Sequence, residues 1–140
     1  MPDFKFRLRR VLEYRELQEK WAKDAYLEVR SRLVAAEVEW REIGERRTQA
    51  LRAPQESLEG MISLENYLHR LDDDDRAQCV VIEVIKSELA KAEAEWIETK
   101  RALESIQRLR DKAYEEWLVE ENRREQAELD EWSVTRRRAA

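Results

Sequence analysis

The sequence predicts an all-α fold: an antiparallel two-helix coiled-coil hairpin whose second helix is longer and overhangs at the C-terminal end. Three observations carry that reading. Helix breakers are nearly absent, since the 140 residues hold only Pro2, Gly44, Pro54 and Gly60, and the last two stand close together. Charged residues make up 42% of the chain and apolar residues another 42%, a balance typical of long, surface-rich helices. Apolar positions also recur at steps of three and four through both halves, as one face of a helix requires.

Taken in order, the elements are a first helix over about 7–53, a turn over about 54–61 and a second helix over about 62–137, forming one coiled-coil hairpin across 1–140. At 1.5 Å per residue the helices would span roughly 70 Å and 114 Å. In the first run, Tyr14, Leu17, Trp21, Ala25, Val29, Leu33, Ala36, Trp40, Ile43 and Ala50 form a stripe, with Arg47 filling one gap. Pro54 lacks an amide donor and disfavours helix at Ala53, which ends this run. Gly60 tolerates turn conformations, and Ser63 can cap the second helix. There Ile82, Ile85, Leu89, Ala92, Trp96, Thr99, Leu103 and Ile106 alternate steps of three and four, the pattern of a heptad seam. Gly44 is either a bend or a tolerated mid-helix glycine.

A hairpin turning near residue 58 or 59 opposes residues whose numbers add to about 117. That register pairs Leu33 with Ile85, Val29 with Leu89, Ala25 with Ala92, Trp21 with Trp96, Tyr14 with Leu103 and Val11 with Ile106. A rival register near 137 would pair Trp21 with Trp117 and Trp40 with Trp96, but would set Tyr14 against Arg123 and Leu17 against Glu120. The six apolar pairs favour the first. The first helix then runs out opposite residue 110 or so, leaving Tyr114, Trp117, Leu118, Val119 and Trp132 on a projecting helix. Grouped aromatics there point to a partner surface; the alternative is that two overhangs bury each other in a structural scaffold.

Several function classes are excluded or weakened. The net charge of −5 is mild and mixed, unlike a surface that neutralises phosphates, so nucleic acid is not the expected partner. No stretch reaches the ~20 apolar residues of a membrane span, and the opening residues lack an apolar run of signal-peptide length. A soluble cytoplasmic protein without direct membrane insertion is expected. Cys79 is the sole cysteine, so no internal disulfide forms, and it reads as a partly buried small residue. His69 has no metal-spaced companion. Asp72–Asp75 lacks the glycine and ligand spacing of a calcium loop, and reads as a solvated patch that loosens the hairpin tip because Asp75 falls on the seam. Phosphate-binding glycine motifs are absent. Two helices provide no shielded pocket for acid–base chemistry. No enzyme, cofactor or metal is expected.

Basic residues gather at both ends, as Lys5, Arg7, Arg9 and Arg10 and as Arg123, Arg124 and Arg136–Arg138. They suit solubility and the C-terminal helix dipole, or docking into an acidic or polar ring or groove. Here a resemblance enters. The opening Phe4-Lys5-Phe6-Arg7-Leu8 with Val11-Leu12 and Arg15-Glu16 resembles the start of the flagellar FliJ proteins. Tyr67-Leu68-x-x-Leu71 is similar to that family's segment after the turn. Arg123-Arg124-Glu125-Gln126 with Leu129-Asp130-Glu131 resembles its C-terminal signature. The resemblance spans essentially the whole chain.

It implies a non-enzymatic component of the flagellar type III export apparatus, peripherally associated with the inner membrane. Family members are antiparallel coiled coils resembling the stalk of rotary ATPases. They associate with the export ATPase ring, contact the cytoplasmic domain of the export gate and recycle export chaperones. Residues implied for the ATPase or chaperones are Phe4, Phe6, Arg7, Tyr114, Trp117, Arg123, Arg124 and Trp132. Those implied for the gate are Tyr67 and Leu71, with Asp74 and Gln78 on the same face; Asp74 departs from the small apolar residue expected there. The stalk of a virulence secretion system is a related alternative.

Overall fold

The computed structural model describes residues 3–139 and contains two helices, α1 (Arg9–Arg52, 44 residues) and α2 (Leu58–Ala139, 82 residues), with no strand among the described residues. The fold is an antiparallel helical hairpin with α2 much the longer, as the breaker pattern and heptads require. Two compact units are distinguishable, one of residues 21–97 and one of residues 3–20 with 98–139.

The first unit holds the turn, which is shorter than the expected 54–61. Ala53, preceding Pro54, still closes the last turn of α1 by donating to the Gln49 carbonyl at 3.2 Å. The cap of α2 is Ser57, not Ser63: its Oγ accepts the Gly60 N–H at 3.0 Å and its carbonyl accepts the Met61 N–H at 3.1 Å. Gly60 therefore lies inside the first turn of α2, with no positive φ. A Cβ there would sit 2.6 Å from Gln55 Oε1, the movable end of a side chain, and 3.1 Å from the capping Ser57 Oγ.

Ala36, Ile82 and Ile85 form the buried core of this unit, with Val29 and Leu33 packed against them. Towards the turn, Ile43 and Leu71 are also buried. Four polar links cross between the helices. Arg32 Nη1 donates to Glu88 Oε2 at 2.7 Å, Gln78 Nε2 to the Ala36 carbonyl at 2.9 Å, and Trp40 Nε1 to Asp75 Oδ1 at 2.8 Å; Arg47 pairs with Asp72. The residue numbers of every pair add to within a few units of about 117, and none fits the rival near 137. Asp75 thus occupies the seam as the acceptor of an indole N–H. The aspartate run is tied across the tip rather than loosening it.

The stripe on the first helix departs from expectation before Val29. Tyr26 and Ala22 continue the seam, while Ala25 and Trp21 are exposed, Trp21 at 57%. Trp96 faces Tyr26, with ring centroids 5.2 Å apart and an interplanar angle of 31°. The reason is helical phase. Going back through 25, 21 and 17 takes three successive steps of four, which rotates the stripe by about 120° away from a seam that alternates threes and fours. Cys79 is exposed rather than partly buried. Gly44 lies within unbroken α1, and its carbonyl accepts the Thr48 hydroxyl at 3.1 Å.

In the second unit Leu12 is buried, with Leu8 and Arg15 half-buried on the same side and Ala102, Leu103, Ile106 and Ala113 half-buried on α2. Tyr14 and Leu17 lie outside this seam for the phase reason given above. Tyr14 instead accepts a hydrogen bond from Gln18 Nε2 at 2.9 Å, and Gln18 accepts one from Arg15 at 3.1 Å.

Adjacent residues on α2 should respond oppositely to truncation. Ile85, 6% exposed, should lose about 2–3 kcal/mol as Ile85→Ala, whereas Val84→Ala, at a site 52% exposed, should change stability by less than about 0.5 kcal/mol, both read from urea melts of the helical circular dichroism. A Cβ at Gly44 meets nothing within 4 Å, so Gly44→Ala should raise stability by about 0.5–1 kcal/mol in the same assay.

Candidate partner-binding surface

Residues 3–8 precede α1 and are not helical. Phe4, Phe6 and Leu8 are half-buried while Asp3, Lys5 and Arg7 are exposed, the alternation of an extended segment lying on a surface. The Phe4 ring sits edge-on to Tyr114 at 5.3 Å (74°) and tilted on Trp117 at 5.8 Å (54°); Tyr114 and Trp117 stack at 5.9 Å. Aromatic pairs at these separations add to simple burial. Three of the residues implied for partner binding are thus brought together, but against one another. Tyr114 and Trp117 do not stand on a bare projecting helix, because the non-helical leader reaches further along α2 than helix α1 does. A groove beside the cluster is lined by Phe4, Phe6, Arg9, Leu12 and Arg110. The alternating Phe4, Phe6 and Leu8 were the sequence signal for this strap, hidden because they precede the helical periodicity.

From Leu118 to Ala139, α2 is exposed apart from half-buried Glu121 and Ser133. This stretch is the overhang. Leu118, Val119, Leu129, Trp132 and Val134 are its large exposed apolar side chains, Trp132 at 60%. The Arg136 guanidinium lies over the Trp132 ring, 5.1 Å from its centroid, a cation–π contact that steadies the ring while leaving it accessible. Leu129 and Trp132, with Glu125 and Glu128, line a shallow groove on this helix. Arg123 and Arg124 pair weakly with Glu120 at 3.8 Å and Glu121 at 3.6 Å, one turn back. Long pairs with exposed arginines of this kind hold little energy. Arg7 lies in the turn leading into α1.

Near the hairpin tip, Tyr67 is half-buried with Arg70 over its ring, 5.8 Å from the centroid. Leu71 corrects the reading of a joint Tyr67–Leu71 contact surface. It is 4% exposed and belongs to the seam, so it can support Tyr67 from below but cannot meet a partner without opening the hairpin. Gln78 is likewise engaged across the seam with Ala36, leaving exposed Asp74 on that face. His69 is exposed, 3.8 Å from Glu65. Among the described residues no helix is long and apolar enough to cross a membrane.

Comparison with known proteins is informative at one level. A family model described as flagellar FliJ protein matches residues 4–139. No curated protein and no solved structure matches the chain.

The ring cluster makes Trp117 part of the folded framework. Trp117→Ala should lower the midpoint of a urea melt by the equivalent of about 1–2 kcal/mol through loss of the Phe4 and Tyr114 contacts. Trp132→Ala should move it by less than about 0.5 kcal/mol, since that ring touches only its own helix.

Proposed function

Because the chain belongs to the FliJ family, whose members are non-catalytic components of the flagellar export apparatus, we propose that it is a stalk-like coiled coil that engages the export ATPase ring through its C-terminal overhang. The observation that carries this reading is the unpaired stretch of α2 from Leu118 to Ala139, which keeps Leu118, Leu129, Trp132 and Val134 in solvent. A lone helix gains little by exposing such residues; a partner that covers them explains their presence. Arg123, Arg124 and Arg136–Arg138 supply positive charge along the same stretch, suited to an acidic or polar lining. Phe4, Phe6 and Arg7 flank its base.

The gate contact is assigned to the tip, with Tyr67 as its outward aromatic and Leu71 as the support beneath it. Export chaperones share the overhang, where amphipathic helices can lie against Leu129 and Trp132. In this reading the protein works in the cytoplasm, held at the inner membrane only through its partners, and the ATPase performs the chemistry.

The test is a titration of the full chain into the export ATPase, with parallel samples ending at residue 117 and carrying Trp132→Ala. The truncation keeps the strap and its ring cluster, so loss of binding is attributable to the overhang alone. Binding by the full chain, none by the truncation and an affinity reduced about tenfold by Trp132→Ala are expected. If no sample binds the ATPase but sedimentation shows a dimer that the truncation abolishes, the scaffold reading replaces this one.

A further inference from the structure

We propose that residues 3–8 form a strap that opens independently of the helices, and that Phe4 is a removable cover on a Tyr114–Trp117 platform used when the overhang is engaged. This rests on the overhang being the partner-binding segment, and it concerns how access to that segment is regulated. The strap is separable by construction. It is attached to α1 through a turn in which the Arg9 N–H donates to the Phe6 carbonyl at 3.2 Å, and the hydrogen bond from the Leu12 N–H to the Leu8 carbonyl at 2.9 Å begins only beyond it. Lifting Phe4 and Phe6 therefore breaks no bond within α1. What leaves is two half-buried aromatic side chains, and what appears is a stacked Tyr–Trp pair. Trp117 immediately precedes the overhang, so opening adds the ring pair at its base.

Charge around the strap is mixed. The first turn of α1 contains no acidic residue, although the positive end of a helix dipole favours one. Instead Lys5, Arg7, Arg9 and Arg10 crowd this end, and Arg110 of α2 lines the same groove as Arg9, Phe4 and Phe6. Among the described residues, Arg9 alone of these pairs with a carboxylate on its own helix, Glu13 at 3.1 Å. Ring contacts hold the strap down, and the basic residues at this end stand beside an α2 segment that carries Asp111, Glu115, Glu116, Glu120 and Glu121.

The experiment uses the full chain labelled with 5-fluorotryptophan, whose five tryptophans give separate fluorine resonances; Trp117→Phe identifies the line of Trp117. Trypsin cleavage after Lys5 and Arg7 is followed by mass spectrometry on the same samples. Phe4→Ala should speed that cleavage about tenfold and shift the Trp117 line, while the Trp40 and Trp96 lines and the circular dichroism stay as they are. Saturating export ATPase should displace the wild-type Trp117 line in the same direction. Cleavage that is unchanged by Phe4→Ala overturns the strap, whatever the fluorine line does, because loss of the ring alone perturbs that line. A Trp117 line that stays put while the Trp132 line moves with ATPase overturns its role as a cover. If ATPase moves no line and Phe4→Ala still frees the strap, the ATPase reading fails and the opening strap stands.

Discussion

The structure depends on one constraint: a two-helix hairpin has a single seam, so its register must be held by whatever lies in that seam. Leucine and valine alone hold register poorly, since an apolar side chain packs almost as well one heptad along. Here the specification comes from polar groups. Gln78 reaches the Ala36 backbone carbonyl and Asp75 takes the indole N–H of Trp40, with the Arg47–Asp72 pair nearer the turn and Arg32–Glu88 beyond the Ala36–Ile82–Ile85 core. A slipped register would leave a glutamine and a carboxylate facing apolar neighbours. A polar residue at a seam position restricts alignment in this way at some cost in stability.

Once register is held, the rest follows from lengths. The connection between the helices is short because Pro54 stops α1 and Ser57 at once starts α2. The excess of α2 must then emerge at the other end, where the leader segment covers its first part and the remainder stays in solvent. The exposed apolar side chains of this stretch are therefore supplied by chain length rather than by a pocket, which is why the candidate surface is made of single exposed residues on a helix.

Much of this was legible in the residues. The fold class, the antiparallel register and the overhang come from punctuation and heptads, and from Val29 to Ala50 the inward face is as the periodicity indicates except at Trp40, which stays 42% exposed while its indole N–H reaches across to Asp75. The errors have physical causes. Trp21 and Tyr14 drew the stripe towards themselves because large apolar residues dominate a pattern, although Tyr26, Leu12 and even polar Arg15 keep the heptad phase. Asp75 looked like a defect because its partner, Trp40, is distant in sequence. Leu71 looked like a contact residue because it was grouped with Tyr67, which is only half-buried while Leu71 is 4% exposed. The Phe4 cluster was invisible to a helical template, since an extended segment obeys a period of two.

The abrupt turn between Arg52 and Leu58 also governs how such a chain can change in length. With only 53–57 between them, the two helices have almost no slack to absorb an added or lost residue. A single insertion in one arm would rotate everything beyond it by about 100° and take its seam residues into solvent. Length can be altered without that penalty only by whole heptads placed in both arms together, in increments of about 10 Å. The seam is in effect a ruler with coarse graduations, and its paired length can change only in those steps.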